Sequence, residues 1–142
     1  MRRHPSLIPL SRFHRSGLFV AQMCKSDGPK FKGYPTTPET KATYTVDFFH
    51  HDLKAHFELE ETALFPLLGG LDPQLDELIA RALDQHVQLA EVIEEISIAT
   101  KVEPVLDTFG RLLETHIRME ERQLFQRAQE VASGTLETVK LD

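Results

Sequence analysis

Cysteine is nearly absent from this 142-residue chain and tryptophan entirely so. With Cys24 alone, no disulfide can form within the chain, and a zinc site built from several thiolates is excluded. That usage suits a reducing compartment. Basic residues are in deficit: 16 Lys and Arg against 22 Asp and Glu give a formal net charge of −6. The balance argues against a nucleic-acid backbone or an anionic membrane surface as the main partner. No run approaches the roughly 18 apolar residues of a membrane span. The opening Met1-Arg2-Arg3-His4-Pro5 lacks the long apolar core of a signal peptide, so the expected location is the cytoplasm. The length suits one domain, residues 1–142, able to bury about 68–70% of the surface its unfolded chain exposes. What the chain does have is histidine, seven in all.

Proline and glycine divide the sequence into four segments with helical periodicity. The first, about 6–24, repeats Leu7, Leu10, His14, Leu18 and Ala21. Ser26-Asp27-Gly28-Pro29 breaks it and opens a flexible linker over 25–37. Thr37-Pro38 starts the second helix, about 38–68, with a capping hydroxyl and proline at the first position. Its stripe is Val46, Phe49, Leu53, His56, Glu60, Leu64 and Leu67; Pro66 distorts the last turn before Gly69-Gly70 stops it. Asp72-Pro73 restarts the chain in the same way. The third helix, about 73–98, carries Ile79, Ala82, His86, Leu89, Ile93 and Ile96. The fourth, about 104–132, carries Leu106, Phe109, Leu113, His116, Glu120, Leu124 and Ala128, leaving 133–142 as a frayed tail. No strand signal appears. The expected fold is all-α, an antiparallel up-down-up-down four-helix bundle, with the placement of the first helix least constrained because its linker is longest.

Each core stripe carries one histidine: His14, His56, His86 and His116. Two carry a glutamate four residues on, Glu60 after His56 and Glu120 after His116. That spacing puts both side chains on one helix face, one turn apart, where they reach the same point in space. The pairs alone are weak evidence, since seven histidines among this many acids give about one such pair by chance. Their context is more specific. His56-Phe57-Glu58-Leu59-Glu60-Glu61-Thr62-Ala63-Leu64-Phe65 recurs 60 residues later as His116-Ile117-Arg118-Met119-Glu120-Glu121-Arg122-Gln123-Leu124-Phe125, with five identities in ten positions. Height agrees as well. His56, His86 and His116 each lie 12 or 13 residues from the turn shared with a neighbouring helix, or about 18–20 Å at 1.5 Å per residue. An amphipathic pattern does not require that coincidence. A core with a few satisfied histidines would leave two carboxylates buried at great cost. A metal removes the cost by consuming their lone pairs and charge.

Four imidazoles and two carboxylates exceed the needs of one tetrahedral zinc and suit two ions with the carboxylates between them. Such a donor set favours iron, with manganese or zinc as lesser candidates. Open positions could take a bridging oxide or hydroxide and a small molecule such as dioxygen, peroxide or nitric oxide. The Ser6-Leu7-Ile8-Pro9-Leu10-Ser11-Arg12-Phe13-His14 opening and the two His-x-x-x-Glu-Glu-x-x-Leu-Phe cassettes resemble the hemerythrin-like (HHE cation-binding) domain over about Leu7 to Val131. The resemblance implies His14, His56, His86 and His116 as terminal ligands and Glu60 and Glu120 as bridges of an oxo- or hydroxo-bridged non-haem di-iron centre.

The sequence departs from oxygen-carrying hemerythrins at Ala82 and Ala90, where a fifth histidine would stand one turn from His86. The resemblance therefore points to sensing, iron handling, or peroxide or nitric-oxide chemistry, with an oxidase- or peroxidase-like enzyme as one version. A partner protein for signalling or iron transfer is a further expectation. The rival reading is a structural or interaction module stabilised by zinc or another divalent cation, without redox chemistry. By the resemblance, Phe13 stands where many relatives would have a polar residue before the ligand. His50 and His51 lie more than about 100° around the helix from His56 and read as flanking groups. Glu61 and Glu121 read as outer partners or surface groups, Glu58 points off the stripe, His4 sits near a loose terminus, and Cys24 has no base beside it. Phe49, Phe57, Phe65, Phe109 and Phe125 read as core packing.

Overall fold

A computed structural model describes residues 2–141. Four long helices account for most of them, and no strand occurs among the described residues. Helix α1 (Ile8–Cys24) follows a 3₁₀ turn, Pro5–Leu7. Helix α2 runs unbroken over 38–68, with π-helical turns at Phe49–Leu53 and Glu60–Leu64. Helix α3 spans Pro73–Ile98. Helix α4 covers 102–131 with one π-helical turn, Glu120–Leu124. It starts at Val102, so Pro104 falls in the first turn, where a missing N–H costs no helical bond.

The caps follow the local chemistry. Thr37 Oγ1 accepts from the Thr40 N–H at 3.3 Å, and Asp72 Oδ2 accepts from the Leu75 N–H at 2.9 Å. Gly70, at φ 83°, supplies the left-handed residue between α2 and α3. Asp72 also receives Arg127 through Nε at 2.9 Å and Nη2 at 2.7 Å, tying the start of α3 to the end of α4.

Side-chain partners show that three pairs of neighbouring helices run antiparallel. Between α1 and α4, Ser11 bonds Glu121, Gln22 bonds Glu114, and Ser26 at the end of α1 bonds Asp107. Between α3 and α4, Asp72 meets Arg127 and Gln85 meets His116. Between α1 and α2, His14 meets His56 and Cys24 Sγ meets Thr45 Oγ1 at 3.1 Å. Helices α1 and α4 approach closely: a Cβ on Gly110 would lie 2.5 Å from the Ala21 carbonyl oxygen, which only glycine tolerates.

The apolar core is in two parts. One cluster includes Leu7, Leu10, Leu64, Phe65, Leu68, Leu75, Ala82, Leu124 and Phe125. The other includes Val20, Phe49, Leu53, Phe57, Leu89, Ile93, Leu106, Phe109, Leu113 and Ile117. Along every helix the change from one to the other falls at a stripe histidine or glutamate.

One expectation is corrected. The segment after 132 is not frayed: Ser133–Leu136 forms a short helix, α5, and Leu136 and Val139 are buried in the first cluster. Ala132 joins them in that cluster, and Leu141 packs against it. Linker residues Phe31 and Tyr34 pack edge-on and stacked against Phe19, and Tyr34 meets Tyr44. No helix among the described residues is long and apolar enough to cross a membrane.

Candidate metal centre

The layer between the two clusters consists of six polar side chains, all buried: His14 from α1, His56 and Glu60 from α2, His86 from α3, and His116 and Glu120 from α4. Their ligand atoms form two sets, each within 4.8 Å: His14, His56, Glu60 and Glu120 in one, Glu60, His86, His116 and Glu120 in the other. The two glutamates belong to both. His14 Nε2 lies 3.1 Å from Glu120 Oε1, and His86 Nε2 lies 3.2 Å from Glu60 Oε1. His56 and His116 stand 3.7 Å and 3.5 Å from the glutamates one turn along their own helices.

The backbone prepares this arrangement. Both cassette glutamates begin a π-helical turn, Glu60–Leu64 and Glu120–Leu124. Such wide turns occur preferentially at functional sites because they re-aim side chains without ending the helix. Glu60 thus faces the centre while Glu61, the next residue, reaches across to α3. Pro66 is not the cause, since Gln126 occupies the matching position in α4 beyond an equal turn. The proline's mark is local, in the φ −115° of Leu64.

Outer partners aim most of the imidazoles. The Nδ1–H of His14 donates to Glu121 at 2.7 Å, that of His86 to Glu61 at 2.6 Å, and that of His116 to the Gln85 amide oxygen at 2.6 Å. Each bond turns Nε2 toward the middle of the bundle. Glu121 also accepts from Ser11 Oγ and Arg3 Nη2. His56 has no such bond among the described residues; its ring stacks on Phe13, centroids 4.3 Å apart and planes 18° from parallel. Phe57 stacks on His86 at 3.8 Å, and Phe125 on His14 at 5.7 Å.

Electrostatics show what the site is like without a cation. Burial opposes charge on His14, but the nearby Glu120 carboxylate and the bonded Glu121 carboxylate outweigh it and raise its pKa to about 9. Burial lowers His56 to about 3 and His116 to about 4, and lowers His86 too. Glu60 is pushed well above the carboxylate range by burial and by Glu120. Glu120 is held low despite burial, by His116 and His14. In the metal-free layer Glu60 is thus biased toward the neutral acid and Glu120 toward the carboxylate, beside a His14 biased toward the imidazolium.

That balance does not satisfy the layer. Both oxygens of Glu60, both oxygens of Glu120, and Nε2 of His86 and of His116 are buried without a hydrogen-bond partner. Orphans of this kind are rare, each costing about 1–3 kcal/mol. All belong to residues of the two sets, and together they fit cations shared between carboxylates.

The structure thus brings together His14, His56, Glu60, His86, His116 and Glu120. It leaves His50 and His51 exposed, the latter bonded to the Asp47 carbonyl oxygen at 2.9 Å. His4 caps the first turn by accepting from the Ser6 N–H, and Cys24 is buried. Glu61 and Glu121 act as outer partners. Gln85, Ser11 and Arg3 escaped the sequence reading. Gln85 had a signal, a polar residue three positions past Ala82 on the apolar stripe; Arg3, far away in sequence, had none.

A family model described as the hemerythrin HHE cation-binding domain matches residues 25–128. No curated protein and no solved structure gives a match.

Proposed function

From the premise that the chain belongs to the hemerythrin HHE cation-binding domain family, we propose that its core layer holds two iron ions and that the protein binds, senses or reacts with dioxygen, peroxide or nitric oxide, or handles iron. The observation that carries this reading is the sharing of Glu60 and Glu120 by two four-residue ligand sets. His14 and His56 would hold one ion, His86 and His116 the other, with both carboxylates common to the pair. When bound, such a pair of ions supplies redox chemistry and open coordination positions for a small molecule.

The chain's own residues do the rest. Glu121, Glu61 and Gln85 hold three imidazoles in the tautomer that presents Nε2. Phe13, Phe57, Phe65 and Phe125 wall the layer and restrict water. Its ligand would be small, because the layer sits between two packed apolar clusters. Protein partners for signalling or iron transfer would meet the outside of the bundle.

The test is metal content with the optical spectrum of the anaerobic and air-exposed protein. Iron-replete expression should give about two irons per chain and a visible absorption that changes with oxygen. A His116→Ala chain should lose at least half of the iron and alter the spectrum. Retention of full iron and an unchanged spectrum in that variant would sink the reading. Preferential filling by zinc, with no response to oxygen, would favour a structural module.

A further inference from the structure

The two halves of the layer are related by the internal repeat, and the repeat makes their differences visible. In each half a terminal histidine, His14 or His86, is preceded by a residue that turns toward the cassette histidine of the same half. Before His86 that residue is Gln85, whose amide oxygen accepts from His116 Nδ1 at 2.6 Å. Before His14 it is Phe13, which stacks on His56 and offers no acceptor. The outer carboxylates differ in the same sense. Glu61 serves His86 alone among the described residues, whereas Glu121 divides its charge among His14, Ser11 and Arg3.

We propose that the centre is intrinsically unequal: the His86/His116 half takes the first metal ion and the His14/His56 half takes the second more weakly, with the pair Gln85 and Phe13 setting the order. The proposal rests on the two-ion reading above. A ligating imidazole whose Nδ1–H is bonded has its tautomer and ring orientation fixed before metal arrives, and its Nε2 is the more basic for it. His116 has that preparation. His56 must select its tautomer on binding, and the Phe13 ring holds only the plane of its imidazole. Losing an outer partner of this kind typically weakens a metal site by about 10–100-fold, which sets the scale of the expected gap. Phe13 and Gln85 are therefore positioning residues, acting through His56 and His116.

The experiment is a titration of the metal-free full chain with Co(II), a probe that is visible in its own right, followed by calorimetry and by absorption. The unaltered chain should take up two ions with affinities separated by at least about ten-fold. Phe13→Gln supplies the missing acceptor and should narrow the gap. Phe13→Leu removes the stack without an acceptor and should not. Gln85→Leu should weaken the tighter ion by about 10–100-fold. Melting of each metal-free variant checks that it is folded, and Phe13→Gln and Phe13→Leu share the same loss of packing. Two ions of equal affinity, a gap closed equally by leucine, or a Gln85→Leu chain whose tighter ion is unmoved each overturn the inference while leaving two-ion binding intact. Fewer than two ions at saturation overturns the two-ion reading, and the inference with it.

Discussion

Glu60 and Glu120 occupy matching places in the repeat, yet in the metal-free chain burial and mutual repulsion favour the neutral acid at the first, while His116 and His14 favour the carboxylate at the second. A protonated Glu60 is nearly isosteric with glutamine. Glu60→Gln should therefore leave the metal-free melt within about 1 kcal/mol of the original, since no ionic partner is lost. It should also weaken or abolish cation binding, because glutamine lacks the negative charge that the carboxylate offers a cation; melting and metal content on one sample check both halves. The histidines set a pH optimum. His56, His86 and His116 titrate lower in the fold than the ordinary 6.5. Between about pH 4 and 6.5 the unfolded chain thus binds more protons, and stability rises with pH. Glu60 opposes this, one group against three. Above 6.5 the sign reverses, because His14, raised to about 9, retains a proton that the unfolded chain has released. The metal-free protein should melt highest near pH 6.5 and lose stability toward pH 9. Bound metal displaces that proton and should remove the alkaline decline. A melting series with and without metal across that range reads the difference. At this scale the six layer residues were legible in the sequence because i and i+4 spacing and equal height are properties of the chain itself. The tie between Gln85 and His116 was not, since it joins different helices and depends on their rotation.

The π-helical turns at Glu60–Leu64 and Glu120–Leu124 are features of the elements, and the sequence conceals them. His56 to Glu60 and His116 to Glu120 lie within or at the end of regular α-helix, so their spacing is ordinary. The wide turn begins only at the glutamate and leaves Leu64 and Leu124 apolar and buried, as an unbroken stripe would. Helix limits were easier to place, because Thr37-Pro38 and Asp72-Pro73 declare themselves chemically. The short helix of the tail carries no sequence signal, because four residues show no periodicity before they pack. The turns bear on function through Glu61 and Glu121, which each follow a centre-facing residue and still reach an imidazole on another helix. Deleting Thr62, an exposed residue of the first wide turn, should restore regular helix there and draw Glu61 away from His86 Nδ1. Helix content should hold while metal affinity falls by about 10–100-fold, the usual effect of losing an outer partner. Circular dichroism beside a metal titration measures both. Unchanged affinity would mean that the wide turn does not position Glu61.

Across the whole molecule the six-residue layer divides the core, so that neither apolar cluster continues past it. A bundle of this length with an unbroken core would be more stable without metal, because the layer's orphaned oxygens and nitrogens each cost about 1–3 kcal/mol. Folding stability and cation binding are therefore coupled through one set of atoms, drawn from all four long helices. Each ion bound by the folded chain alone adds RT ln(1 + [L]/Kd), or about 4 kcal/mol when free metal is about 1,000 times Kd. At about 3 °C per kcal/mol for a domain of this size, one ion should raise the melting temperature by about 10 °C. Two should raise it further, in two stages if the halves fill in order. The rise should come with little change in helix content, since the ligands are already gathered before metal binds. Scanning calorimetry at increasing metal concentration tests this. A melting temperature that does not move with metal would separate the layer from cation binding, and would leave its buried carboxylates to be explained by packing alone.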